Sequence, residues 1–89
     1  MRAPVYTRQF ERDIKRAQKR GKNLNKFKMI ARVLIGGERL DPLHRDHQLI
    51  GDYVGRRECH IEANWLLIYK LEKDQIVFER TGSHADLFE

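Results

Sequence analysis

The apolar residues of this chain change period near its middle, and that change limits the folds open to it. In the first third they recur at helical spacing. Phe10, Ile14 and Ala17 fall at i, i+4, i+7, and Leu24, Phe27, Ile30, Ala31 and Leu34 form a second such stripe. Thr7 suits the cap of a helix running to about Arg20, and Gly21 its end; Asn23 or Asn25 opens the next helix, and Gly36-Gly37 stops it. So short a link predicts an antiparallel helical hairpin. From Leu49 the pattern is one of strands. Gly51 and Gly55 bracket a short strand around Tyr53-Val54, and Cys59 and Ile61 alternate with Glu58, His60 and Glu62. Residues 65–71 are almost wholly apolar, as a central strand would be; Lys73-Asp74 suits a turn into a strand over 75–81, and Ala85 to Phe88 form a tail or single helical turn. Residues 3–6 read as a short extended segment, with Pro4 placing it at an edge or a strand start. Helices first and strands afterwards predict an α+β fold, a helical hairpin packed on a mostly antiparallel sheet, in one domain over residues 1–89.

Charge is divided as sharply as period. Residues 1–45 carry 13 Lys and Arg against 4 Asp and Glu, whereas residues 46–89 carry 5 against 9. A basic half joined to an acidic half makes an oriented electrostatic surface, and a polyanion is its natural partner. An acidic protein, an acidic lipid surface or a merely solvated helix face would satisfy the charge as well. The cations singled out for contact with a nucleic acid are Arg12, Lys15, Arg16, Lys19, Arg20, Lys22 and Lys26, on the first helix, its turn and the start of the second helix. The longest apolar run, Trp65 to Tyr69, is far short of the ~20 residues a membrane span needs. Charges occupy the start of the chain, where a signal peptide would be apolar, and the single Cys59 allows no internal disulfide. These features predict a cytoplasmic protein without a membrane partner.

No phosphate-binding glycine loop, CxxC pair or HExxH motif is present; the conspicuous side chains are His44, His47, His60 and His84. Imidazole can take and give a proton near neutral pH. RNA cleavage needs a base for the ribose 2′-hydroxyl, an acid for the departing 5′-oxygen, and cations for charge on the phosphate. Histidines beside Arg56, Arg57 or Arg80 could supply all three, with no metal or cofactor. Four unrelated surface histidines would look the same at this level. A shared zinc at His44 and His47 would need a helix there, against which Pro42 argues. Trp65 heads the most apolar strand and reads first as core, although an indole can also stack on a base. Phe88 is more open to a stacking role.

The run His60-Ile-Glu-Ala-Asn-Trp-Leu-Leu-Ile-Tyr69, followed by Phe78-Glu-Arg-Thr-Gly-Ser-His-Ala85 and the ending Leu87-Phe88, resembles the YafQ-type toxins of the RelE/ParE superfamily. Asp46-His47-Gln48-Leu49, Gly51 and Ala17-Gln-Lys-Arg20 extend the resemblance over nearly the whole chain. It implies a microbial-RNase-like α+β fold and a metal-independent, ribosome-dependent messenger-RNA endonuclease. It also implies a hetero-oligomer with an acidic antitoxin of the DinJ/RelB kind, and contacts to small-subunit ribosomal RNA and messenger RNA. Its site histidines fall on His47, His60 and His84, its tryptophan on Trp65 and its terminal phenylalanine on Phe88. Arg80 then becomes the phosphate-stabilising arginine. One position departs: Asn64 stands where the family commonly has aspartate. An amide is no general base, though it can orient a histidine or hydrogen-bond RNA. Two other functions fit the same resemblance. One is a non-catalytic ParE-like toxin that poisons gyrase by contact. The other is an inactive member that only binds antitoxin or RNA.

Overall fold

The computed structural model describes residues 1–88. A short strand β1 (Ala3–Tyr6) leads into helices α1 (Arg8–Lys19) and α2 (Leu24–Ile35); strands β2 (His47–Gln48), β3 (Arg57–Glu62), β4 (Trp65–Leu71) and β5 (Gln75–Gly82) follow, and a helical turn α3 (His84–Phe88) ends the chain. The sheet order is β1-β5-β4-β3-β2. β1 runs parallel to β5, and every other pairing is antiparallel.

The capping chemistry operates as the residues dictate. Thr7 Oγ1 accepts the Phe10 N–H at 3.0 Å, and Asn23 Oδ1 accepts that of Asn25 at 3.0 Å. Gly21 and Gly37, each with φ near +80°, carry the chain out of α1 and α2. Two segments differ from the sequence expectation. The strand expected at Tyr53-Val54 is a 3-10 turn over Gly51–Tyr53, because Gly51 and Gly55 both take positive φ and the intervening residues cannot stay extended. His47, expected in a loop, begins the two-residue β2 instead, and His44 ends a 3-10 turn that Pro42 opens.

The sheet has two unlike faces. On one, α1 and α2 bury Phe10, Phe27 and Leu34 against Trp65, Leu67, Tyr69, Ile76 and Phe78. Phe78 sits among Tyr6, Phe10 and Phe27 with ring centroids 5.3–5.9 Å away. On the other, among the described residues, only Leu66, Ile68 and Leu87 form a buried apolar cluster, flanked by Leu49 and Tyr53. β1 stops at Tyr6, so the last residues of β5 have no strand neighbour on that side. α1 takes its place: Thr7 Oγ1 donates to the Glu79 carbonyl, and the Thr81 N–H donates to Asp13 Oδ2 at 3.1 Å. Asp13 is buried and also receives Arg80, Arg16 and Gln9, so a charged residue inside an apolar helix face is fully paired. Among the described residues no helix is long and apolar enough to cross a membrane.

Candidate active site

Strand register puts the chemistry on the thinly covered face. His47 pairs with Glu58, Glu58 with Ile68, and Ile68 with Arg80, giving one row across four strands. Partners in register share a face, so His47, Glu58 and Arg80 leave the sheet on the side of Ile68, although the Arg80 guanidinium turns back at the sheet edge to Asp13 of α1. The next row holds His60, Leu66 and Gly82. His84 begins α3 two residues beyond Gly82, and Leu87 seats that turn on Leu66 and Ile68.

Glu58 is the centre of the arrangement. Its carboxylate is buried, and Oε1 lies 3.5 Å from His47 Nε2 and 3.6 Å from His60 Nε2. Each ring is held from its other nitrogen by a backbone carbonyl. His47 Nδ1 meets the Arg45 carbonyl at 2.6 Å, and His60 Nδ1 that of Ala63 at 3.3 Å. A carbonyl only accepts, so both Nδ1 atoms carry hydrogen, and each Nε2 can donate to Glu58 only when its ring is protonated. Two imidazoles and one carboxylate can therefore hold and exchange a small number of protons. Glu58 is not among the site residues expected from sequence, although its spacing signals it: on an alternating strand, Glu58 and His60 at i, i+2 must share a face.

His84 reaches the same neighbourhood through the β3–β4 turn. Ala63 holds the His60 ring, and the adjacent Asn64 accepts the His84 backbone N–H on Oδ1 at 3.1 Å. The His84 ring lies 4.9 Å from Phe88 between centroids, and Phe88 meets Tyr53 edge-on at 5.5 Å. Phe88 is 37% exposed, so part of its face is open to solvent. Arg80 points its Nε at Asp13 Oδ2, 2.8 Å away; Asp13 holds the guanidinium firmly charged, with a smaller contribution from the Tyr53 phenol. A cleft of about 310 Å³ lined by Leu43, His44, Arg45, His60 and Glu62 adjoins the row. His44 itself is engaged, its Nδ1 donating to the His60 carbonyl at 2.7 Å.

Trp65 requires a correction. Its ring is 1% exposed and lies on the helix-covered face, where Nε1–H donates to Thr81 Oγ1 at 2.9 Å. Alternation along β4 sends Trp65 opposite to Leu66, so the indole fills core and offers no face for a base to stack on. The cations also divide. Arg16 pairs with Asp13, Arg20 with Asp86, and Lys22 and Lys26 with Glu62, whereas Arg12, Lys15 and Lys19 have no carboxylate within salt-bridge distance among the described residues. Beside the row, Asp46 accepts the Tyr69 hydroxyl at 2.5 Å and Arg57 Nε at 3.3 Å. The residue before His47 is thus tied toward the helix side of the sheet while His47 faces away.

Residues 2–89 match the profile of a family described as the bacterial toxin of type II toxin–antitoxin systems, YafQ. The chain is 45% identical over 84 residues to the mRNA interferase toxin YafQ of Escherichia coli K12, covering 93% of this chain and 91% of the relative. It superposes on a crystal structure of the E. coli DinJ–YafQ complex with a TM-score of 0.93 at 43% identity, covering both chains in full. A metal-bound toxin from Helicobacter pylori gives a TM-score of 0.93 at 30% identity, covering 99% of this chain and all of that one. With a family match over residues 2–89 and a relative at 45% identity, the chain belongs to the YafQ family of toxins of bacterial type II toxin–antitoxin systems.

Proposed function

We propose that this toxin is a cytoplasmic messenger-RNA endonuclease that works on the ribosome, without metal or cofactor, and is held silent by an acidic antitoxin of the DinJ kind. The observation that carries this reading is the position of Glu58 between two imidazoles, on an open face that also presents Arg80 and His84. An imidazole of the Glu58 cluster, from His47 or His60, takes the 2′-hydroxyl proton. The freed oxygen bonds to the adjacent phosphorus, and the phosphorus–5′-oxygen bond breaks. His84, whose ring has no polar partner among the described residues, gives the leaving 5′-oxygen its proton. The products are a 2′,3′-cyclic phosphate and a 5′-hydroxyl. Arg80 supplies charge to the phosphate as negative charge accumulates on it. Phe88 offers its exposed face to a base.

Asn64 acts as an orienting residue in this scheme. Its contribution is an oxygen that accepts the His84 N–H, and aspartate and asparagine both possess one. The change from the family's usual residue therefore leaves proton transfer to the histidines. The basic helices supply ribosomal affinity, foremost through Arg12, Lys15 and Lys19, and that affinity falls steeply with salt. Mapping 5′ ends on a translated transcript tests the reading. Wild type should cut with ribosomes present and not without them, and alanine variants at His47, His60 and His84 should cut less. Growth arrest without cut message would favour a contact poison of the ParE kind instead; neither arrest nor cutting would indicate an inactive binder.

A further inference from the structure

The five residues of α3 carry both His84 and Phe88, yet so short a helix has no stability of its own. Its orientation must come from anchors. Leu87 packs on Leu66 and Ile68, and the Tyr53 hydroxyl donates to the Leu87 carbonyl at 3.3 Å, which fixes how close the turn lies to the sheet. Rotation about its axis needs a restraint on the far side. At roughly 100° per residue, positions 84 and 88 share a face and position 86 lies almost opposite. Asp86 is that residue. Its carboxylate receives Arg20 of α1 through Nη1 at 2.6 Å and Nη2 at 3.3 Å, and the Ser83 N–H at 2.9 Å, while its own N–H donates to Ser83 Oγ at 3.2 Å. Ser83 and Asp86 thus cap the turn reciprocally, and Arg20 ties the cap to the long helix. Gly82 makes room for it: a Cβ there would stand 2.9 Å from Asp86 Cβ and Oδ2.

We infer that Asp86, paired with Arg20, is a positioning residue that sets the rotation of α3 so that His84 and Phe88 face the open side of the sheet. The inference rests on the ribonuclease reading for its kinetic consequence but not for its structural one. Two measurements on the full chain separate them. In the first, NMR of the free protein follows the His84 ring protons, which Phe88 shifts by its ring current; Asp86→Ala should move these shifts toward those of an unrestrained histidine. In the second, Asp86→Ala should lower the maximal rate of transcript cleavage by about tenfold to a hundredfold with KM unchanged. Arg20→Ala removes the same contact from an exposed position and serves if Asp86→Ala fails to fold. The double variant should cost no more than Asp86→Ala alone, because Arg20 acts on α3 only through Asp86, whose Ser83 contact the Arg20 change leaves in place. Wild-type His84 shifts in either folded single variant, or a rate loss confined to KM, would overturn the inference. Should the wild type itself not cut, the ribonuclease reading falls, and the NMR result still decides the position of α3.

Discussion

The two faces of the sheet are built from the same three strands by opposite rules. Under the helices, aromatic and branched side chains from five elements interlock. Trp65, Tyr69 and Phe78 are almost wholly buried, and the carboxylate buried on this side, Asp13, is paired on every side. On the other face three buried apolar residues support Glu58, His47, His60, Arg80 and the α3 turn, which are held by hydrogen bonds and ion pairs more than by packing. One face can therefore carry the stability while the other keeps polar groups near water and near a substrate. A small domain has room for only one thick core, so the division locates both the fold and its chemistry.

Substitutions should read out that division. Phe78→Ala, which removes the ring that three others pack against, should cost about 3–5 kcal/mol in urea denaturation and leave little native protein at elevated temperature. His84→Ala should lower cleavage by about 10²–10⁴-fold. Its exposed ring bears little load, so stability should change by less than about 0.5 kcal/mol. If His84→Ala destabilises as Phe78→Ala does, the two faces are not separate in function. Thr81→Val would strip the Trp65 indole of its acceptor and the Leu66 carbonyl of a donor, at about 1–3 kcal/mol by the same assay.

Acid should act on the thin face through Asp86. Arg20 and then the Ser83 N–H hold its carboxyl well below the usual carboxylate range. A depressed native value means that the unfolded chain takes up the proton first, so this stabilisation is complete above the unfolded pKa of about 4 and declines as pH falls below it. The stability difference between wild type and Asp86→Asn should be flat from pH 6 to 8 and shrink below about pH 4. The smallest effect concerns Cys59, which faces the helices and whose thiol burial pushes upward in pKa. Iodoacetamide should label it no faster than the domain unfolds; rapid labelling would mean that the thick face opens locally.

Much of this was legible beforehand, and the reasons differ by residue. Both helices, their caps at Thr7 and Asn23, and the turn before β5 follow from local rules, and the structure keeps them. Gly51 and Gly55 suggest brackets around a strand. Their positive φ values instead make the segment a turn that brings Tyr53 to Phe88. Trp65 was open to two roles because a strand's sequence reveals which residues alternate but not which set a helix will cover. Nothing in the helical spacing marks Asp13 for burial; only the unpaired end of β5 gives it a reason.

Sequence alone determined the order of elements, the segregation of charge and the family, since periodicity, capping and a spaced motif are properties of neighbouring residues. Tertiary structure alone decided that Glu58 lies between His47 and His60, that Asn64 and Asp86 hold the His84 turn, and that Trp65 belongs to the core. Those contacts join residues far apart along the chain, and they exist only once strand register and helix docking fix which side chains share a face.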